Sequence, residues 1–246
     1  MVRRCLAYAV VAACSSAAML ATGHAQTRAV IELFTSQGCS SCPPADKLVG
    51  ELASDPTLVP ISLPIDYWDY LGWKDTLADP RNTARQRAYS KTRGDRDVYT
   101  PQAVINGSTQ ALGSDKAAIE HAVAKSRQNP ATLSLPVTLA VADGHLVISV
   151  PERSDSRASA EVWISGLAKS VTVLIKRGEN KGKTITYHNV ARRWLKIDGW
   201  DGKARTWSVP LRDLEADGID GAAVFVQSGT LEKPSAIFGA ALASIR

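Results

Sequence analysis

Ala29-Val30-Ile31-Glu32-Leu33-Phe34-Thr35 runs into Ser36-Gln37-Gly38-Cys39-Ser40-Ser41-Cys42, and Pro43-Pro44-Ala45-Asp46-Lys47-Leu48-Val49-Gly50-Glu51-Leu52 runs out of it. The approach is an apolar run of strand length. Beyond the cysteines, Leu48, Val49 and Leu52 recur at helical spacing, which predicts a helix over 43–53. A strand, a two-cysteine turn and a helix bring two thiols close enough to form one small ring. A helix N-terminus at that turn favours a thiolate.

Pro43 and Pro44 lack backbone N–H groups and fit only the first helical turn. The helix is therefore expected to begin near Ser41 or Cys42, with Cys39 just outside it. The dipole falls off within about a turn, so Cys39 is expected to be moderately acidic. By position, Cys39 is the attacking thiolate and Cys42 the less accessible resolving thiol. Glu32 in the incoming strand is a candidate to manage the resolving proton, and equally a structural salt-bridge partner. Asp66 and Asp69 are weaker candidates.

The N-terminus assigns a compartment. Arg3 and Arg4 precede a mostly apolar stretch from Leu6 to about Leu20, and Gly23-His24-Ala25 supplies small residues for cleavage. Residues 1–25 read as a signal peptide, with cleavage after Ala25 and a periplasmic or secreted product. A retained anchor is the alternative, although Cys14-Ser15-Ser16 interrupts the apolar run. Val11-Ala12-Ala13-Cys14 also loosely resembles a lipoprotein cleavage box. Removing residues 1–25 takes Cys5 and Cys14 away and leaves Cys39 and Cys42 as the mature thiols. It also lowers the formal charge from +5 to about +3, too mild to imply a nucleic-acid partner. No stable membrane insertion is expected after cleavage.

The segments up to residue 129 alternate as β-α-β-α-β-β-α. Strands are expected at 29–35, 58–63, 98–107 and 109–112, and helices at 43–53, 80–92 and 114–127, with a turn at Asn106-Gly107. After Asn129-Pro130 short β-branched runs recur at 132–141, 145–150, 160–164, 171–176, 184–190, 204–209 and 222–227. An antiparallel sandwich or barrel-like unit is the reading for 130–246, against a first unit at 26–129. Lys176, Arg177, Lys181 and Lys183 flank Gly178-Glu179-Asn180 and read as a solvated hairpin tip. Trp163, Trp194, Trp200 and Trp207 read as core, with a ligand surface as the alternative. No internal repeat or low-complexity segment is present.

The cysteine pair admits several chemistries. Zinc needs two more ligands, and His121, His145 and His188 are scattered without paired spacing. A purely structural disulfide would close a four-residue loop, with a loop-entropy gain of only about 2 kcal/mol. Copper(I) held by both thiolates, as in a metallochaperone, lacks supporting Met-rich or His features. A redox-active dithiol accounts best for the spacing and the helix position, and needs no cofactor and no resident metal.

The strand, Cys39-Ser40-Ser41-Cys42, helix and later Thr100-Pro101 resemble the thioredoxin fold. That resemblance implies a cis Pro101 facing the disulfide and a Thr100 backbone that pairs with a substrate strand. Glu32 through Asp46, together with Asp66-Tyr67-Trp68-Asp69-Tyr70-Leu71-Gly72-Trp73, more closely resembles a family of secreted bacterial thioredoxin-like proteins known mainly as a domain of unknown function. Gln37-Gly38 stand where thioredoxin has a tryptophan, and Ser40-Ser41 where it has Gly-Pro. Glu32 is offset by one residue from thioredoxin's acidic position. Gln37, Gly38 and Trp68 are then candidates to contact substrate, though Trp68 and Trp73 also suit packing.

The expected architecture is thus an α/β thioredoxin-like domain followed by an all-β domain. The expected function is thiol–disulfide exchange with protein or small-molecule thiols and disulfides. The alternative is a binding module with an inert disulfide.

Overall fold

The computed structural model describes residues 26–153, 159–216 and 218–246. The expected signal segment, with Cys5 and Cys14, lies outside the described residues. The strand β1 spans Ala29–Thr35 and is buried at every position. It is followed by α1 (Pro43–Leu52), β2 (Leu58–Pro64), α2 (Pro80–Arg93), β3 (Gln102–Ile105), β4 (Thr109–Leu112) and α3 (Lys116–Ser126). Asp79 and Asp115 cap α2 and α3 by accepting from the Arg81 and Ala118 amides. The strand expected at 98–107 is shorter than read, because only 102–105 pair.

The later strands are β5 (Thr138–Ala142), β6 (His145–Val150), β7 (Ala160–Leu174), β8 (Thr184–Trp200), β9 (Arg205–Pro210), β10 (Gly221–Thr230) and β11 (Lys233–Ser244). The runs expected at 160–164 and 171–176 are one bulged strand, and 184–190 continues to residue 200. β11 was not anticipated.

The molecule is mixed α/β and mostly strands. One eight-stranded mixed sheet runs β11-β10-β7-β8-β2-β1-β3-β4, and a three-stranded antiparallel sheet runs β5-β6-β9. Strands from before and after residue 129 therefore share one sheet. Their junction is sparing: β2 and β8 are bridged in parallel at Ser62 and Val190. Pro60 would be unusual inside a central strand. Here its carbonyl accepts from the Asn189 side chain at 3.0 Å, and Ser62 Oγ donates to the His188 carbonyl at 2.8 Å.

Two faces of β1 serve different layers. Leu33 packs with Ala45 and Val49 of α1, while Val30 and Phe34 join the core that includes Tyr89 of α2. The smaller sheet covers β7, β10 and β11 through Leu146, Ile148, Val162, Val224 and Phe238. Gly50 lets α1 approach β8, since a Cβ there would lie 2.7 Å from the His188 ring. No helix among the described residues is long and apolar enough to cross a membrane.

Candidate functional site

Cys42 is the N-cap of α1, with Pro43 and Pro44 in the first turn, so Cys39 lies one loop ahead of the helix. Cys39 and Cys42 are joined by a disulfide. Both are buried, Cys39 at 4 % exposure and Cys42 at 0 %, while Ser40 and Ser41 between them are exposed. Ser41 Oγ lies 3.4 Å from Cys39 Sγ and 3.5 Å from the Thr100 carbonyl. The Thr100–Pro101 peptide bond is cis. Thr100 is half-buried and Pro101 buried, and the Ser41 contact to the Thr100 carbonyl places this pair beside the cysteine loop.

The aromatic segment lies against the same loop. Trp68 Nε1 donates to Thr100 Oγ1 at 2.8 Å, and its ring stacks on Tyr70 with centroids 6.1 Å apart. Tyr70 is 76 % exposed. A Cβ at Gly38 would sit 3.1 Å from the Trp68 Cβ, so the glycine admits this close approach. Trp73 Nε1 donates to Gln37 Oε1 at 2.7 Å, and Gln37 Nε2 donates to Thr76 Oγ1 at 3.1 Å. Gln37 and Gly38, expected as substrate contacts, are both buried. Gln37 organises the loop from beneath.

Glu32 also departs from one of its two readings. It points to the α2 face of β1, away from α1. Arg85 Nε donates to its Oε1 at 2.6 Å and Tyr89 Oη to its Oε2 at 2.6 Å. Gln227 of β10 completes the network by accepting from Arg85 at 2.9 Å and donating to Tyr89 Oη at 2.8 Å. Burial alone would lower the Arg85 pKa, but the Glu32 carboxylate and Tyr89 together raise it. Glu32 is the anion of a buried ion pair between β1 and α2, and Gln227 ties that pair to β10. Asp66 and Asp69 likewise serve local bonds, accepting from Thr83 Oγ1 and from the Asp75 amide.

A different acid lies on α1, one turn after Cys42. Asp46 sits one turn into α1, and its amide donates to the Cys42 carbonyl at 3.1 Å. Thr35 Oγ1 donates to its Oδ1 at 2.7 Å, while Oδ2 is buried with no partner among the described residues. Burial pushes the Asp46 carboxyl up to about 8, and nearby Asp75 adds to the rise against the Thr35 bond. Asp75 is itself raised by burial, although it accepts from the Gln37 and Leu77 amides. Tyr187 of β8 is raised by burial and by both carboxyls, and its hydroxyl is also buried without a partner among the described residues.

β8 and the turn before it thus belong to the site. Asn180 is fully buried, and its Nδ2 donates to the Gln37 carbonyl at 3.0 Å and the Cys39 carbonyl at 2.8 Å. The turn expected to be solvated therefore closes over the cysteine loop. Its Lys176, Arg177, Lys181 and Lys183 remain exposed. Sequence reasoning missed Asp46, Asp75, Asn180 and Tyr187. Among the described residues, no cluster of three or more His, Cys, Asp or Glu is placed to hold a metal ion.

Residues 30–227, which carry all of these groups, match the family model described as a protein of unknown function, DUF1223. The chain belongs to the DUF1223 family. This DUF1223 chain is similar to the crystal structure of protein AGR_C_4864 from Agrobacterium tumefaciens. The two are 31 % identical with a TM-score of 0.81, over 91 % of this chain and 97 % of that one. It also resembles HBP35 of Porphyromonas gingivalis, at 14 % identity and a TM-score of 0.57, over 89 % of this chain and 75 % of that one. The second likeness is one of fold alone. No curated protein matches the DUF1223 chain.

Proposed function

We propose that this chain is an exported thiol–disulfide exchange protein whose first half is thioredoxin-like and whose reactive pair is Cys39 and Cys42. The observation that carries the reading is the placement of the disulfide at the N-terminus of α1, under the Thr100–Pro101 segment and above a buried, protonatable Asp46.

Exchange would proceed in two displacements. The Cys39 thiolate attacks a client disulfide, forms a mixed disulfide and releases one client sulfur as thiolate. The Cys42 thiolate then attacks Cys39 Sγ, closes the intramolecular bond and releases the second client sulfur. The client gains two electrons and the dithiol loses them; the reverse order oxidises a client dithiol. Ser41 Oγ is within reach of Cys39 Sγ and can donate to the thiolate. Asp46, one turn beyond Cys42, would hand a proton to the Cys42 sulfur as the disulfide opens and take it back as the disulfide closes. Its raised pKa keeps that proton available near neutrality.

The burial of both sulfurs favours a second reading, a binding module stabilised by an inert bond. Trapping separates the two. A Cys42→Ser protein should accumulate mixed disulfides on Cys39, and Cys39→Ser should abolish turnover of a disulfide substrate. Absence of adducts, together with a reduction potential far below about −300 mV, would establish the inert bond instead.

A further inference from the structure

Away from the cysteines, a groove of about 460 Å³ lies between α2 and the sheet face formed by β7 and β8. Its floor is aromatic. Trp163 pairs with Lys196 and Trp194 with Ser165, so the two indoles are diagonal neighbours on one face of the antiparallel pair. Both rings are half-buried. Leu231, 47 % exposed between β10 and β11, closes one end.

The polar groups around this floor are unevenly committed. Trp163 Nε1 donates to Glu161 Oε2 at 3.1 Å, whereas the Trp194 indole N–H has no partner among the described residues. The Arg85 guanidinium lies 4.9 Å from the Trp194 ring centroid, but its charge is already matched by Glu32. Arg87 and Lys91, four residues apart on α2, are exposed on the rim and have no carboxylate partner among the described residues. Glu232, the acid on this lining, accepts from Thr230 Oγ1 at 2.9 Å. An apolar, aromatic slot is thereby rimmed by two unspent cations.

We infer that this groove is a binding site for a free, flat aromatic carboxylate, with its ring on Trp163 and Trp194 and its carboxylate at Arg87 and Lys91. The volume falls in the range of about 300–1,000 Å³ typical of small-molecule pockets. Indole faces favour offset or edge contacts with a planar ring. The rim selects the sign of charge: a cation would meet Arg87 and Lys91.

The probe is 2-naphthoate, with neutral 2-naphthamide as its uncharged counterpart, measured by equilibrium dialysis against the full chain. One saturable equivalent of naphthoate is expected, with the amide bound about fivefold or more weakly. Reversal of both rim charges, Arg87→Glu with Lys91→Glu, should weaken naphthoate about tenfold. The conservative pair Arg87→Lys with Lys91→Arg should retain binding. Leu231→Asp should weaken it without touching α2. All these positions are exposed, and none belongs to the cysteine site, so disulfide exchange should be unchanged in every variant. No saturable binding, an undiminished affinity after charge reversal, or an amide bound as tightly as the acid would each overturn the assignment.

Discussion

Asp46 follows Cys42 by one helical turn, and its carboxyl is buried with one oxygen on Thr35 and the other unpartnered among the described residues. The residue that most resembles a proton store is therefore on α1, not on β1, where Glu32 is consumed by Arg85.

The Asp46 carboxyl, raised to about 8, gives a pH dependence of definite sign. The folded chain holds this proton more tightly than the unfolded chain, so its contribution is fully present below the unfolded value near 4. It is lost as pH rises through about 8. Asp46→Asn keeps an acceptor for Thr35 and removes the titration. Urea unfolding of this variant should show a gain of a few kcal/mol over the parent at pH 9 that shrinks toward pH 4. Equal gains at both pH values would refute the buried-acid account.

Glu32→Gln should destabilise the fold by about 3–5 kcal/mol, because Arg85 would remain buried without its anion. The rate of disulfide exchange by the folded fraction should stay near that of the parent. A large loss of exchange at unchanged stability would return Glu32 to the reaction.

Asn180→Ala removes the donor shared by the Gln37 and Cys39 carbonyls. The Cys39 carbonyl keeps the Cys42 amide, but the Gln37 carbonyl loses its partner, and leaving a buried acceptor unmatched costs about 1–3 kcal/mol. Amide hydrogen exchange across residues 37–42 should accelerate by about tenfold or more, with β5 and β6 unaffected. Uniform acceleration across the chain would mean that Asn180 supports only global stability.

Trp68→Phe deletes the bond to Thr100 Oγ1 and retains a ring beside Tyr70. A stability loss of about 1 kcal/mol is expected. In the Cys42→Ser background, the yield of client adducts should fall several-fold if the Trp68–Tyr70 pair meets clients. Unchanged adduct yield would leave Trp68 as packing alone.

The cysteine loop and the elements around it were legible because their signals are local. Residues 29–35 form a β-rich run of strand length, and two prolines mark where α1 starts. The long strands were harder to read. Ser165-Gly166-Leu167-Ala168-Lys169-Ser170 looks like a break, yet β7 passes through it with register shifts at Val162/Trp163 and Gly166/Leu167. β11 is rich in Ala, Gly and Ser, which have little intrinsic strand preference, and its ladder with β10 compensates. Leu133, at φ 49°, marks why the run expected from 132 pairs as β5 only from 138.

The site divides in the same way. Cys39, Cys42, Thr100 and Pro101 carry a spacing that sequence displays. Asp46 in a first helical turn looks like an ordinary dipole partner, and nothing local says that β8 will bury it. Asn180 among Lys, Arg, Gly and Glu looks like surface. The tertiary junction of β2 with β8 takes it inward.

The clamp on the cysteine loop also has a timetable. Asn180 stands 141 positions after Cys39, so a chain emerging from its N-terminus offers both thiols well before their cover exists. During that interval the loop can pair with any oxidant or foreign thiol that reaches it. A nascent chain stalled short of residue 180 would hold the same two cysteines as the finished protein in a more open and less selective form.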